Sequence, residues 1–210
     1  MTVVVGDIEA LISRARALAG AGGRRLLGIT GAPGAGKSTI AAQVVDALGD
    51  AAVLVPMDGF HLANAELERL GRRNRKGAID TFDAPGYVAL LQRLRSPDHE
   101  TVYAPVFRRE IEEPIACAIP VAPDVPLVVT EGNYLLVPDE PWAAVRELLD
   151  EAWFVAPDET TRIDWLIARH VAFGKPPDVA RAWSLSTDQR NADLVASTVA
   201  QADLVVRLEP

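Results

Sequence analysis

The sequence predicts a three-layer α/β/α domain, in which a mainly parallel sheet of about five strands lies between layers of helices. Three observations lead to this class. Short apolar runs alternate with longer segments whose apolar residues recur at helical spacing. The runs are continuous rather than alternating with polar residues, which is typical of strands buried on both faces. The chain has 210 residues, of which 49% are hydrophobic, and these values fit one globular domain over 1–210.

The elements follow from these patterns in chain order. A first helix is predicted over 7–21, followed by strands at the apolar runs 26–30, 51–57, 125–130, 152–155 and 203–208. Further helices are predicted for the amphipathic segments 38–48, 85–95, 141–149, 160–173, 178–183 and 188–200. The polar stretch 58–85 is predicted to contain at most a short helix near 63–70. Two additional strand candidates, 101–107 and 115–121, lie in a region punctuated by prolines.

Charge and cysteine content exclude several classes of protein. Lys and Arg number 21 against 29 Asp and Glu, a net charge of −8, so we expect neither nucleic acid nor membrane as a partner. The single cysteine, Cys117, excludes an internal disulfide, and His61, His99 and His170 are too far apart for a zinc-ligand spacing.

Residues 1–7 lack the basic region of a signal peptide, and no apolar run approaches the roughly 20 residues of a membrane span. We therefore expect a cytoplasmic protein.

A glycine-rich segment after the first predicted strand carries the strongest chemical signal. It reads Gly31-Ala32-Pro33-Gly34-Ala35-Gly36-Lys37-Ser38 and fits G-x-x-x-x-G-K-[ST]. Such a loop turns its backbone N–H groups toward phosphate oxygens, and the helix that follows presents its positive end to the same anion. We expect residues 31–39, including Thr39, to bind ATP, with Lys37 on the β/γ-phosphates and Ser38 on Mg²⁺. The alternative is a plain glycine-rich turn between a strand and a helix.

Carboxylates follow two further buried strands. Asp58 comes directly after the strand 51–57, and Glu131 comes directly after the strand 125–130. In an open parallel sheet the ligand lies at the carboxyl ends of the strands, so both acids are expected near Lys37. Asp58 can orient an acceptor hydroxyl and take its proton, and Glu131 can bind Mg²⁺. The alternatives are a turn or cap role for Asp58 and a solvent-facing position for Glu131.

Two basic segments are candidates for contact with anions. Arg162 and Arg169 are seven residues apart, two helical turns on nearly one face of a predicted helical lid over 159–181. Such guanidinium groups would stabilise charge on a transferred phosphoryl group, whereas the alternative is a solvated helix face. The basic segment, residues 72–76, packs four cations into Arg72-Arg73-Asn74-Arg75-Lys76. It fits either a phosphorylated or carboxylated acceptor or a solvated loop.

These motifs together resemble the phosphoribulokinase/uridine kinase family of P-loop kinases over about 26–208. The segment from Met57 to His61 is similar to the strand-end D-x-F-H/Y motif, and its D-G-F form resembles that of pantothenate kinases. The segment 81–85 resembles the uridine kinase F-D-H-P motif, 131–136 resembles the E-G motif, and the paired arginines resemble the lid. The likeness is strongest to bacterial nucleoside/nucleotide kinase-like proteins described as fructose-transport-system kinases.

The resemblance implies an ATP-dependent kinase with a small-molecule acceptor, namely a nucleoside, pantothenate or a sugar. It assigns Asp58, Lys37, Arg162 and Arg169 to catalysis, and it leaves a homodimer open. The acceptor region is expected over about 58–120, with substrate contacts at His61, Asp83, Phe107 and Arg108. The chain departs from uridine kinases after Phe107, where their Y-D-F-x-x-H-x-R-like pattern is absent. The alternative function is a nucleotide-dependent switch or regulatory ATPase without an acceptor.

Overall fold

The computed structural model describes residues 2–5, 7–96 and 100–207. The strands are β1 Thr2–Val5, β2 Arg25–Thr30, β3 Ala52–Leu54, β4 Val102–Arg108, β5 Glu113–Val121, β6 Leu127–Gly132, β7 Glu151–Val155 and β8 Leu204–Arg207. The helices are α1 Ile8–Ala19, α2 Lys37–Leu48, α3 Asn64–Arg69, α4 Ala84–Arg95, α5 Ala143–Leu148, α6 Glu159–Ala172, α7 Pro177–Trp183 and α8 Gln189–Ala196.

Six parallel strands form the central sheet in the order β1-β8-β7-β2-β6-β3. The predicted class, a parallel sheet between helices, is thereby confirmed, and the additional strand is β1, which pairs with β8 at the edge. Strand β3 is shorter than predicted, since a 3₁₀ turn over Met57–Phe60 follows it closely. The predicted end of the last strand at Leu208 lies outside the described residues, as does His99.

Helices cover both faces of the sheet because successive side chains of each strand point to opposite sides. On β2, Leu27 and Ile29 pack against α1 and α2, in a core with Leu11, Ile40 and Val44. Neighbouring strand positions, with Leu26 and Val128 among them, pack on the other face against α4, α5 and α8. No helix among the described residues combines the length and apolar character needed to cross a membrane.

Strands β4 and β5 form a separate antiparallel hairpin outside the central sheet. The hairpin packs very closely against the 3₁₀ turn over 57–60. A Cβ on Gly59 in this turn would lie 2.6 Å from the Pro105 carbonyl oxygen. Only glycine permits this approach of two backbones. The contact places the end of the hairpin beside Asp58, the residue that precedes Gly59.

A buried chain of hydroxyl groups joins α4 to the central sheet. The Tyr87 hydroxyl donates to Thr130 Oγ1 over 2.6 Å, and Thr130 Oγ1 donates to the Val55 carbonyl oxygen over 2.6 Å. Tyr87 and Thr130 are both fully buried, so each hydroxyl depends on these bonds for its polar contacts. The chain holds β6 and the end of β3, which carry Glu131 and Asp58, in a fixed relation to α4.

We expect Thr130→Val to destabilise the protein more than Tyr87→Phe. The valine leaves the Tyr87 hydroxyl and the Val55 carbonyl buried without this partner, at a loss of about 2–4 kcal/mol in the free energy of unfolding. The phenylalanine removes one donor while Thr130 still bonds to Val55, at a loss of about 1 kcal/mol. Urea unfolding followed by tryptophan fluorescence measures both variants. Equal losses would show that the two bonds do not form one chain.

Candidate active site

A cavity of about 320 Å³ opens where β2, β3 and β6 end. Its lining includes Lys37, which follows β2 and the glycine loop, Asp58, which follows β3, and Glu131, which lies on β6. The parallel sheet therefore brings these three predicted residues to one edge, as expected for a ligand site in an open α/β sheet.

The glycine loop, residues 31–38, has the backbone that a phosphate cradle requires. Gly31, Gly34 and Gly36 adopt positive φ angles of 152°, 83° and 88°. Helix α2 begins at Lys37 directly after Gly36, so the first N–H groups of the helix have no partner within it. These free donors and the positive end of the helix fit a bound phosphate chain.

Lys37 lies at the start of α2 with only 7% of its surface exposed. Its Nζ donates to the Ala32 carbonyl oxygen over 2.9 Å, across the loop. Burial lowers the pKa of Lys37 to about 8, although the nearby Glu131 carboxylate opposes this effect. A phosphate in the loop would supply the negative charge that the buried ammonium lacks.

Glu131 and Ser38 form a pair of oxygen donors at the same end of the cavity. Ser38 Oγ donates to Glu131 Oε1 over 3.2 Å. Burial, together with the neighbouring Asp58 carboxylate, raises the pKa of Glu131. Since no group of three or more metal-binding side chains occurs among the described residues, a metal here would also need oxygens of the nucleotide. This donor set fits Mg²⁺, which typically uses one or two protein oxygens together with phosphates.

Asp58 is engaged with a cation that the sequence analysis did not single out. Arg109 Nη2 donates to Asp58 Oδ2 over 3.3 Å. The Arg109 guanidinium also lies between Phe107 and Phe173, 5.9 and 5.8 Å from the ring centroids. Arg109 therefore connects the predicted acceptor region with the end of α6. Arg109 lies in the turn after β4 and outside the predicted strand 101–107, so strand alternation gave no signal for it.

The two arginines of the predicted lid occupy different environments. Arg162 is 2% exposed, and its donors bond to the Pro33 carbonyl oxygen over 2.9 Å, to Glu159 and to Gln189. Arg169 lines the cavity instead, where burial and the like charge of Arg109 lower its pKa. The structure thus places Arg162 behind the glycine loop and Arg169 in the cavity.

The predicted acceptor residues are also separated. His61 lies between the rings of Phe82 and Phe107, with centroids at 4.0 and 4.6 Å, and all three line the cavity. Asp83 instead caps α4, where its carboxylate accepts from the Gly86 N–H over 3.0 Å. Arg108 is exposed and is not among the lining residues described.

His61 has a defined tautomer. Its Nδ1 lies 2.8 Å from the Asp58 carbonyl oxygen, which can only accept, so Nδ1 carries the hydrogen. Burial lowers the pKa of His61, which favours the neutral ring. In that form Nε2 is an acceptor for a hydroxyl group.

The far wall of the cavity comes from the end of α6 and the segment that follows it. His170 Nε2 lies 2.7 Å from Asp188 Oδ2, within a π-helical turn over Ser184–Asp188. Lys175 lies 5.2 Å from the ring centroid of Trp183, and both line the cavity. His170 and Lys175 were not among the site residues predicted from the sequence. Asp188 carried no motif by which it could have been found.

Comparison with known proteins gives a consistent result. The model of the phosphoribulokinase/uridine kinase family matches residues 26–208. The ATP-dependent kinase-like protein notR' of Aspergillus versicolor is 39% identical over 146 residues, 65% of this chain and 85% of that protein. A candidate uridine kinase of Schizosaccharomyces pombe is 32% identical over 179 residues, 81% of this chain and 76% of that protein.

A solved structure shares the whole arrangement of elements. The crystal structure of a candidate fructose transport system kinase from Silicibacter sp. TM1040 superposes with a TM-score of 0.83 at 33% identity. The match covers 95% of this chain and 98% of that one. The likeness therefore extends over nearly the whole length of both chains.

We expect the affinity for a non-hydrolysable Mg·ATP analogue to fall as pH rises above about 8. The phosphates favour the charged form of Lys37, whose pKa in the free protein is about 8, so binding above that pH takes up a proton. Calorimetry at pH 9 in buffers of different ionisation enthalpy measures this uptake. Lys37→Met is the control and should bind weakly with no such dependence. Affinity that stays constant between pH 8 and 10 would contradict the assignment.

Arg162→Lys is expected to destabilise the protein by about 1–3 kcal/mol, since a lysine cannot replace the forked bonds to Pro33, Glu159 and Gln189. Arg69→Lys is the matched control, because Arg69 bonds to Glu66 through the same forked geometry on the surface. That variant should leave the unfolding midpoint unchanged. Thermal unfolding measures both, and equal midpoints for the two variants would contradict a structural role of Arg162.

Proposed function

The chain belongs to the phosphoribulokinase/uridine kinase family, and from that premise we propose that it transfers the γ-phosphoryl group of ATP to a hydroxyl of a small metabolite. The chain is an ATP-dependent small-molecule kinase by family and by its named relatives. The observation that carries the finer proposal is the position of Asp58. It lies between the phosphate-binding residues and a further part of the cavity lined by His61 and Phe107.

In this proposal the glycine loop and Lys37 hold the phosphates of ATP. Ser38 and Glu131 hold Mg²⁺, which neutralises charge on the phosphate oxygens when bound. Arg169 adds a guanidinium beside the transferred group, in a position where burial and the like charge of Arg109 lower its pKa. We assign Arg162 to the support of the loop, since its donors are already used.

Asp58 orients the acceptor hydroxyl and takes its proton as the oxygen bonds to the γ-phosphorus, while the bond from that phosphorus to the bridging oxygen of ADP breaks and ADP leaves. Arg109 donates to Asp58 Oδ2, and the second carboxylate oxygen, Oδ1, is available to the hydroxyl. His61 supports the same hydroxyl side through its Nε2 acceptor. The residues 58–120 then form the acceptor region, and 159–181 form the lid over the phosphates.

The extent of the cavity favours this proposal over a nucleotide-dependent switch. A switch requires the phosphate site alone, whereas here buried aromatic and polar side chains continue the cavity beyond Asp58. A panel of nucleosides, pantothenate, sugars and sugar phosphates tests the difference. In a kinase, ADP release rises when the correct compound is added, and in a switch it stays at the level of ATP alone.

Asp58→Asn should leave the affinity for ATP near that of the unaltered protein and lower kcat by at least about 100-fold. Asparagine can still bond to the acceptor hydroxyl, but it cannot take the proton. The measurement is steady-state ADP release with the compound that the panel identifies. Asp46→Asn, the same change on the exposed face of α2, is the control and should have normal kcat. A normal kcat in Asp58→Asn would assign Asp58 to the turn only.

A further inference from the structure

The basic side chains of the segment 72–76 lie on two different sides of the local backbone. Residues Arg73–Arg75 form a 3₁₀ turn, in which positions three apart lie on the same side. Arg72 and Arg75 both pair with the carboxylate of Asp80. These two cations therefore share one carboxylate outside the segment, and neither is among the residues that line the cavity.

Arg73 and Lys76 form the other face, and both line the cavity. Among the described residues, neither has a carboxylate oxygen within the 4.0 Å of an ion pair. Lys76 Nζ donates to Asn64 Oδ1 over 2.7 Å and to the Glu112 carbonyl oxygen, which are both uncharged acceptors. Its ammonium lies 4.9 Å from the centroid of the Phe107 ring. A third N–H donor of Lys76 remains for a ligand.

The segment is fixed to the wall of the cavity rather than free in solvent. The carbonyl oxygen of Gly77, the next residue, accepts from the Tyr134 hydroxyl over 2.6 Å and from Asn191 Nδ2 over 3.3 Å. The Gly77 N–H donates to Thr81 Oγ1 over 3.0 Å. Tyr134 and Thr81 are fully buried, so these contacts hold Lys76 in place. Arg73 and Asn74 are exposed, whereas Lys76 and Gly77 are partly buried, so the segment is anchored at its end.

Lys76 lies on the His61 side of the cavity. It acts on the pKa of His61 together with Asp58 and Arg109. It is not among the charges that act on the pKa of Lys37, which are Glu131, Arg169, Asp58 and Arg162. Lys76 therefore lies nearer to the proposed acceptor side than to the glycine loop.

Among the lining residues described for the proposed acceptor region, 58–120, three are Lys or Arg and two are Asp or Glu. The lining contains six Lys and Arg against four Asp and Glu, in a protein whose net charge is −8. Glu112 and Glu113 lie near Lys76, but the Glu113 carboxylate already accepts from the Asn64 N–H at 3.1 Å. Burial lowers the pKa of Lys76 in spite of both acids. A half-buried cation without an ion-pair partner favours an anionic ligand.

We propose that the acceptor bears an anionic group, a phosphate monoester or a carboxylate, and that Lys76 and Arg73 bind this group while Asp58 faces the hydroxyl. The inference rests on the kinase function proposed above, since it concerns the acceptor of that reaction. The cations select the compound, and Asp58 and Lys37 serve the transfer. Loss of the Lys76 charge should therefore raise KM for the acceptor and leave kcat nearly unchanged.

The test uses sets of compounds that share a hydroxylated carbon skeleton and differ in one group. Glycerol, glycerate and glycerol 3-phosphate form one set, and ribose, ribonate and ribose 5-phosphate form another. With the phosphate loop filled by a non-hydrolysable Mg·ATP analogue, calorimetry measures binding of each compound. With ATP, release of ADP measures transfer. The variants are Lys76→Gln and, as a matched control from the same segment, Arg75→Gln, each checked for an unchanged melting temperature.

We expect an anionic member to bind about tenfold or more tightly than its neutral counterpart. Lys76→Gln should remove most of that difference and raise KM by a similar factor, whereas Arg75→Gln should not. Comparison of the phosphate-bearing with the carboxylate-bearing members shows which of the two anionic groups the site binds. Neutral members that bind equally well, an anion preference that survives Lys76→Gln, or no anion-dependent binding in either set would overturn the inference. Lys76-dependent anion binding without ADP release would support the anion site and contradict phosphoryl transfer.

Discussion

The contact between the glycine loop and helix α6 is the constraint on which the site depends. A Cβ on Gly34 would lie 2.8 Å from the Arg162 carbonyl oxygen, so the helix rests directly on the loop backbone. The Arg162 side chain closes the contact by bonding to Pro33. Because α6 is fixed at this point, Arg169, two turns further along, lies in the cavity. The buried Arg162 guanidinium thus links the shape of the phosphate site to the position of Arg169, the cation that faces this site.

A second feature of the site is the contact between the Asp58 carboxylate and the Arg109 guanidinium. In this structure Asp58 is bonded to Arg109, which also contacts aromatic rings from the hairpin side and from the end of α6. Arg109 therefore connects Asp58 and the hairpin with the end of α6. An acceptor hydroxyl at Asp58 and phosphate oxygens near Arg169 would compete for the same groups. Ligands that bind in this cavity would therefore replace existing contacts between charged side chains. They would not enter an uncharged space.

Much of the central architecture could be predicted because its signals are local. Continuous apolar runs predicted the parallel strands, and the glycine loop predicted its place between β2 and α2. Placement at strand ends also predicted that Lys37, Asp58 and Glu131 would come together, since parallel strands end at one edge. The side chains that complete the cavity were harder to predict. Arg109 and Asp188 belong to separate segments that meet only when the hairpin and the last helices fold onto the sheet.

The sequence by itself determined the fold class, the phosphate loop and the presence of excess cations in the basic segment, because spacing and residue type are properties of the chain alone. Only the tertiary structure decided which of those cations face the cavity. Arg72 and Arg75 meet Asp80, while Arg73 and Lys76 turn to the other side of a 3₁₀ turn held at Gly77. It likewise separated Arg162 from Arg169, although one helical face predicted both. The physical reason is that burial and pairing depend on which distant segments pack together, and local sequence does not encode that choice in a readable form.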